Sequence, residues 1–404
     1  MGFAFKSTEF TDNPEDVRLL RGANIAQGRL KWGQERRFPA GRYDEYEKCH
    51  LRAADVVLAM DRPWIDAGLK WAVVSKDDVP ALLVQRVARL RGTTTLAHEF
   101  VRYVIGSPEF EAYIQPIVTG VNVPHISGSQ IEDFRFRLPP LHAQQKIARA
   151  LGGLDDLIEN NRRRIEILEE MARLIYREWF VHFRFPRHED VELVDSDLGP
   201  IPEGWDVTPA STAFEVNPRE RLNNDAEHRF LTMGDLSETG MVCWPSALKA
   251  GTSGAKFRNG DTLFARITPC LENGKTGFVA CLDDGEIGRG STEFVVLRGG
   301  EVGPEFTYLT ARKESFRENA IKSMTGASGR QRVRNECFDS HLLVVPTVEV
   351  EMEFRESVRP MFELVFSLAR QNQVLAEARD LLLPRLISGE LDVSELDLAL
   401  KPVA

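Results

Sequence analysis

Two stretches of this sequence carry residue types at spacings that could support catalysis. Pro269-Cys-Leu-Glu-Asn-Gly274-Lys275-Thr276 ends like a phosphate-binding P-loop, in which glycine amides and a lysine wrap an anion ahead of a helix. Its leading glycine is replaced by Pro269, and Gly277-Phe-Val-Ala-Cys281 reads as a strand, so no helix N-terminus is at hand for a phosphate. Asp261 followed by Glu272-Asn-Gly-Lys275 loosely matches the acids and lysine of a metal-dependent nuclease. However, two residues separate acid from lysine, and the comparable Asp66 and Lys70 fall in different relative positions. No dinucleotide or methyl-donor glycine loop follows a strand, no HExxH or Ser/His nucleophile pattern occurs, and the eight histidines are dispersed. The chain is expected to be non-catalytic, with no metal and no cofactor of its own.

A different chemistry is better represented. Arg266-Ile-Thr268 and Lys275 flank a tight loop, and Thr325-Gly-Ala-Ser-Gly329-Arg330-Gln331-Arg332-Val-Arg334 sets three arginines and a glutamine beside a glycine-rich turn. Guanidinium and carboxamide forks suit guanine and adenine edges, and exposed glycine amides can meet phosphate. Arg266, Thr268, Lys275, Arg330, Gln331 and Arg332 are therefore candidate DNA contacts. In the first half of the chain the corresponding places hold Arg62, Lys70, Asn122 and His125. For each one taken alone, a solvated or fold-supporting side chain is the plain alternative.

The correspondence rests on an internal repeat. Asp55-Val-Val-Leu-Ala59 matches Asp261-Thr-Leu-Phe-Ala265, and the same register pairs Pro63 with Pro269, Gly68 with Gly274, Phe100 with Phe306 and Thr119-Gly120 with Thr325-Gly326. One inserted residue then aligns Leu138-Pro139 with Val345-Pro346. In the first half Asp55–Met60, Trp71–Ser75 and Phe134–Leu138 read as strands, and Leu96–Ile105 and Pro108–Gln115 as helices. Both halves are thus mixed α/β units.

Each unit is followed by a long helix. Across Leu141–Arg184 the positions Ile147, Leu151, Leu154, Ile158, Asn161, Ile165, Leu168, Ala172, Ile175 and Trp179 keep the alternating spacing of a coiled-coil seam. Val358, Met361, Val365, Leu368, Asn372, Leu375, Arg379, Leu382 and Leu386 do the same, with Arg379 as a charged interruption. Two such stripes can cover each other, and the chain's return path calls for an antiparallel pair. Its interface is expected to use Leu151, Leu154, Ile158, Asn161, Ile165 and Leu168 against Val365, Leu368, Asn372 and Leu375. Asn161 and Asn372 should both point into it, fixing register. The resulting expectation is a mixed α+β protein. Its parts are a first unit at 1–140, a long helix at 141–185, an acidic connector with the second unit at 186–346, a second long helix at 347–388 and a tail at 389–404.

Composition fits this division. The chain has 404 residues, 43% of them apolar, and a net charge of −10, which at first argues against nucleic acid. Pro186–Asp206 alone holds seven acids against one base, whereas 312–334 holds seven bases against two acids, so the distribution permits basic faces. Five scattered cysteines signal neither a disulfide framework nor a zinc ribbon. With no signal-peptide layout and no run long enough for a membrane span, a cytoplasmic location is expected.

Several motifs together resemble one family. Leu138-Pro-Pro-Leu-His-Ala-Gln-Gln-Lys-Ile147, Ile165-Glu-Ile-Leu-Glu-Glu-Met-Ala172 with Trp179-Phe180-Val181, Pro202-Glu-Gly-Trp205 and Leu381-Leu-Leu-Pro-Arg-Leu-Ile-Ser-Gly-Glu-Leu391 are similar to the specificity (S) subunit of Type I restriction-modification systems, in that family's order. The resemblance implies two target-recognition domains, each reading one half of a split, asymmetric site in double-stranded DNA, with the helices as a ruler setting the gap. It also implies that the helices dock two methylation (M) subunits, through which restriction (R) subunits join. S-adenosylmethionine, ATP and Mg would then belong to those partners. A stand-alone bipartite DNA-binding regulator is the rival reading. One departure stands out: the second unit opens on Gly204-Trp205, whereas a matching opening for the first would lie before Met1, so the first unit is expected to lack its opening segment.

Overall fold

The computed structural model describes residues 1–33, 35–65, 68–118, 124–327 and 331–391. Its contacts divide the chain into two compact units, one formed by Met1–Asp156 with the stretch from Leu375 onward, the other by Leu157–Val374. The helices Leu141–Phe180 and Val348–Ser388 each contribute to both units. This division differs from limits at 140 and 347, because the helices bury their apolar faces against the α/β units as well as against each other.

In the first unit the strand Val56–Ala59 pairs antiparallel with Trp71–Val73 and with Val87–Leu90. Side chains alternate across a strand. Val57 and Ala59 enter one cluster with Leu19, Phe38 and Leu82, while Val56 and Leu58 enter another with Val101, Phe110 and Ile126. A strand covered on both faces excludes polar residues, which is why all four are apolar. A second sheet orders Arg36–Phe38, Val17–Leu20 and Ala81–Leu83, the last two parallel. The second unit centres on Thr262–Ala265, flanked antiparallel by Thr276–Phe278 and Phe294–Gly299. Leu263 faces Leu231 and Phe257, and Phe264 faces Phe316 and Phe338.

A buried aspartate opens each central strand. Asp55 accepts the Arg52 amide at 2.8 Å and the Arg91 guanidinium at 2.5 and 2.7 Å. Asp261 accepts the Arg258 amide at 2.7 Å and both arms of Arg298 at 2.7 Å. Each carboxylate ties the turn before its strand to an arginine from a neighbouring segment, a charge-assisted pairing that a buried carboxylate requires.

Within the second unit the helices run antiparallel, since Phe180 packs on Phe354 with ring centroids 4.7 Å apart while Asn161 reaches Asn372. Within the first, Ile147 and Leu151 share a cluster with Leu383 and Leu386, and Asp155 meets Arg379. No helix among the described residues is long and apolar enough to cross a membrane.

Two local expectations are corrected. The first long helix ends at Phe180 rather than at 185. The amides of Val181 and His182 both return to the Arg177 carbonyl, Phe183 adopts φ 55°, and Phe183 and Phe185 turn onto Trp205. Phe134–Leu138 forms no strand among the described residues. Phe134 instead packs edge-on against Phe110 and stacks on Phe136, and Arg137 donates to the Ser388 carbonyl at 3.1 Å. The segment aligned with it, Leu342–Val345, does pair, antiparallel with Asp206–Pro209. Alternating side chains suit a strand but do not supply the backbone partner that makes one.

Candidate nucleic-acid interface

The two catalytic look-alikes are spent on structure. In the P-loop-like turn the amides of Asn273, Gly274 and Lys275 donate to the carbonyls of Pro269, Leu271 and Cys270, and the Lys275 ammonium donates to the Met233 carbonyl at 2.8 Å. Asp261 is occupied by Arg298. Among the described residues no group of His, Cys, Asp or Glu is placed to hold a metal ion.

In the second unit Arg266 leaves the central strand with its amide on the Glu293 carbonyl and its carbonyl accepting from the Val333 amide at 2.8 Å. Thr268 and Gln331 meet twice, the Thr268 amide donating to the Gln331 carbonyl and the Gln331 amide to Thr268 Oγ1, both at 3.2 Å. Arg332 exchanges backbone bonds with Thr325. Arg266, Thr268, Gln331 and Arg332 are thereby gathered at one corner, and Arg330 lies outside the described residues. The Gln331 carboxamide has no partner among the described residues. The Arg332 fork is closed on Glu293, with contacts of 2.6–3.0 Å, and this hydrogen bonding holds the Glu293 carboxyl below the usual carboxylate range. Lys275 is not part of this corner, because its flexible stem turns the ammonium toward Met233.

Arg266 also lines an open cleft of about 680 Å³, together with Arg219, Arg221, Lys256, Thr292 and Phe294. The acid in its wall, Glu220, is clamped by Arg258 at 2.6 Å and Arg298 at 2.7 Å. Burial pushes that carboxyl up, but the two arginines outweigh it and hold it below the usual range. Lys256 donates to the Glu220 carbonyl at 3.0 Å. Arg219 and Arg221 are exposed and form no ion pair among the described residues. Sequence reasoning missed Arg219, Arg221 and Lys256. Its one available signal was the Arg219-Glu-Arg221 alternation, which aims the acid inward and both arginines outward.

In the first unit the turn after Val56–Ala59 collects three candidates. Arg62 has φ 43°, donates its amide to the Pro124 carbonyl at 2.9 Å and exposes its side chain. His125 Nδ1 lies 2.7 Å from Asp61 Oδ1, which also takes Arg86 at 3.0 Å. The Lys70 amide donates to the Pro63 carbonyl, and partial burial pushes its ammonium pKa down. Asn122 lies outside the described residues.

The seam residues divide between the units. In the first, Leu151 is buried and Leu154 and Leu375 are half-buried. In the second, Ile158, Asn161, Val365 and Leu368 are buried, and Ile165, Leu168 and Asn372 are half-buried. The Asn161 amide donates to Asn372 Oδ1 at 3.0 Å and Gln371 Oε1 at 2.8 Å, while its own oxygen is buried without a partner.

Comparison with known proteins finds similarity to one group of proteins. Residues 103–170 match the Type I restriction modification DNA specificity domain. The chain is 38% identical over 159 residues to the specificity subunit of the Type I restriction enzyme EcoAI of Escherichia coli, covering 39% of this chain and 26% of that one. That alignment spans about a quarter of the EcoAI subunit's length. The MjaIX specificity subunit of Methanocaldococcus jannaschii is 24% identical over 310 residues, covering 74% of this chain and 70% of that one. In fold, the chain is similar to the S subunit of the Type I restriction-modification system of M. genitalium, with a TM-score of 0.50, 12% identity, and coverage of 95% and 92% of the two chains. By sequence, this chain is similar to the specificity subunits of Type I restriction enzymes.

Proposed function

We propose that the chain is the DNA-specificity subunit of a Type I restriction-modification complex, with each unit reading one half of a split, asymmetric site. The observation that carries this reading is the 38% identity to the EcoAI specificity subunit. The corner formed by Arg266, Thr268, Gln331 and Arg332 supports a base-reading role in the second unit, and Arg62, Lys70 and His125 around the Asp61–Pro63 turn support one in the first. The long helices would dock two M subunits, with R subunits joining through them, and set the gap between half-sites. The chain itself would do no bond chemistry. Methyl transfer from S-adenosylmethionine and Mg- and ATP-dependent cleavage fall to those partners. The comparisons give no support to a stand-alone regulator.

The test is methylation of a duplex library by the chain assembled with its M subunits. Modification confined to one bipartite sequence is expected. Methylation by the M subunits that is unchanged when this chain is left out would overturn the proposal.

A further inference from the structure

The cleft in the second unit carries cationic side chains that the fold does not consume. Several arginines elsewhere in that unit are answered by carboxylates, Arg298 by Asp261 and Glu220, Arg258 by Glu220, and Arg229 by Asp283 and Glu286, and the buried Arg289 is answered by the Ser253 and Ala250 carbonyls. Arg219 and Arg221 are not. They flank Glu220, which is buried while both arginines are exposed, and all three line the cleft. Lys256 stands on the same wall with one of its three donors used. Unpaired like charges held together repel each other, and the arrangement loses that penalty only when an anion of repeating charge enters. Arg266 also lines the cleft; it is a member of the Thr268–Gln331 corner, donates from one terminal nitrogen to the Val333 carbonyl at 3.3 Å, and has its Nε buried without an acceptor among the described residues.

We infer that this cleft seats the sugar-phosphate backbone of a DNA strand, with Arg219, Arg221 and Lys256 contacting successive phosphates and so presenting the neighbouring bases to the Arg266–Gln331 corner. The inference rests on the DNA-specificity reading. These three side chains are positioning residues: phosphate contacts set where the duplex lies and carry no base information.

The experiment compares the assembled complex carrying Arg219→Gln/Arg221→Gln with the unmodified complex, measuring affinity for cognate and scrambled duplexes across a range of salt. Both side chains are exposed and unbonded, so equal thermal unfolding is expected. Each phosphate contact contributes about 0.9 to the slope of log affinity against log salt, so the double variant should be shallower by roughly 2. At about 0.1 M salt its affinity should fall by tens of fold, equally for both duplexes. Arg219→Lys/Arg221→Lys should restore the slope. If the double glutamine variant keeps the original slope, or loses affinity only for one base at one position, the phosphate contact is overturned while the specificity reading stands. If the unmodified complex does not distinguish the two duplexes, both fall.

Discussion

The Arg332–Glu293 pair holds one of the proposed reading side chains in a fixed geometry. Arg332 uses its fork on a carboxylate in a geometry close to the one that a guanine edge or a phosphate would demand. On the proposed function, contact with DNA would exchange one acceptor for another, and Glu293 would weaken binding to any duplex that does not repay the exchange. Glu293→Gln should raise affinity for all duplexes several-fold at about 0.1 M salt and narrow the difference between matched and mismatched half-sites, which a filter-binding titration would show. An unchanged ratio would mean that Glu293 takes no part in discrimination. Much of this corner was legible in the sequence, because Arg266, Thr268, Gln331 and Arg332 sit beside short, well-marked strands and turns. Where Lys275 points was not legible: a four-carbon stem reaches several acceptors, and only the fold selects the Met233 carbonyl. Arg219, Arg221 and Lys256 were missed because their adjacency to Arg266 comes from sheet pairing between distant segments.

At the scale of elements, the long helices were legible from their apolar spacing, although the meaning of their polar residues was not. Arg379 read as an interruption of the seam. Instead it donates to Asp155 at 2.9 Å, and the same buried carboxylate takes the Tyr103 hydroxyl at 2.8 Å and Arg102 at 2.9 Å. Burial, foremost, pushes the Tyr103 phenol up, with Asp155 adding to the rise, so it remains a donor at any working pH. Asp155→Ala would strand the buried Tyr103 hydroxyl and take a shared carboxylate from the half-buried Arg102 and Arg379, the latter keeping Asp380, costing about 2–3 kcal/mol. A chemical-denaturation midpoint close to that of the unmodified chain would refute this, whereas Asp155→Ala combined with Arg379→Leu should recover part of the loss. The strand expected at Phe134–Leu138 fails for a related reason. Pairing depends on a second segment, and periodicity within one segment carries no information about its partner.

For the whole molecule, the buried Glu169 adds its own pH dependence to stability. Burial raises the Glu169 carboxyl pKa against the pull of the Met241 amide, which donates to it at 2.8 Å. The folded state therefore holds this proton more tightly than the unfolded chain does. Its contribution to stability is present at low pH and lost as pH rises from the ordinary glutamate range through the raised value. Glu169→Gln keeps an acceptor for Met241 and removes the charge, so its unfolding temperature should be less sensitive to pH across that window and no lower at neutrality; a fall at pH 7 would contradict this. The proposed ruler has its own test. Seven residues added to each long helix extend it by about 10 Å. If the helices set the gap, the spacer in the methylated site should grow by about three base pairs, and activity at an unchanged spacer would exclude that role.

The side chains that fasten Gln144 and Asp155 bear on how this protein can be recombined. Gln144 accepts the Ala97 amide at 2.8 Å and donates to the Thr95 and Pro139 carbonyls, so the start of the first long helix is stitched to the segment before Phe100. A chimera joined at Pro139-Pro140, where the sequence suggests a natural seam, would separate Ala97, Arg102 and Tyr103 from the groups they bond. On the proposed function, a productive exchange of specificity would carry 95–155 as one piece with the stretch from Leu375 to Leu386, or import a donor module with its own tyrosine and arginine at those two positions. Interchangeable parts here are defined by shared hydrogen bonds rather than by where one helix begins.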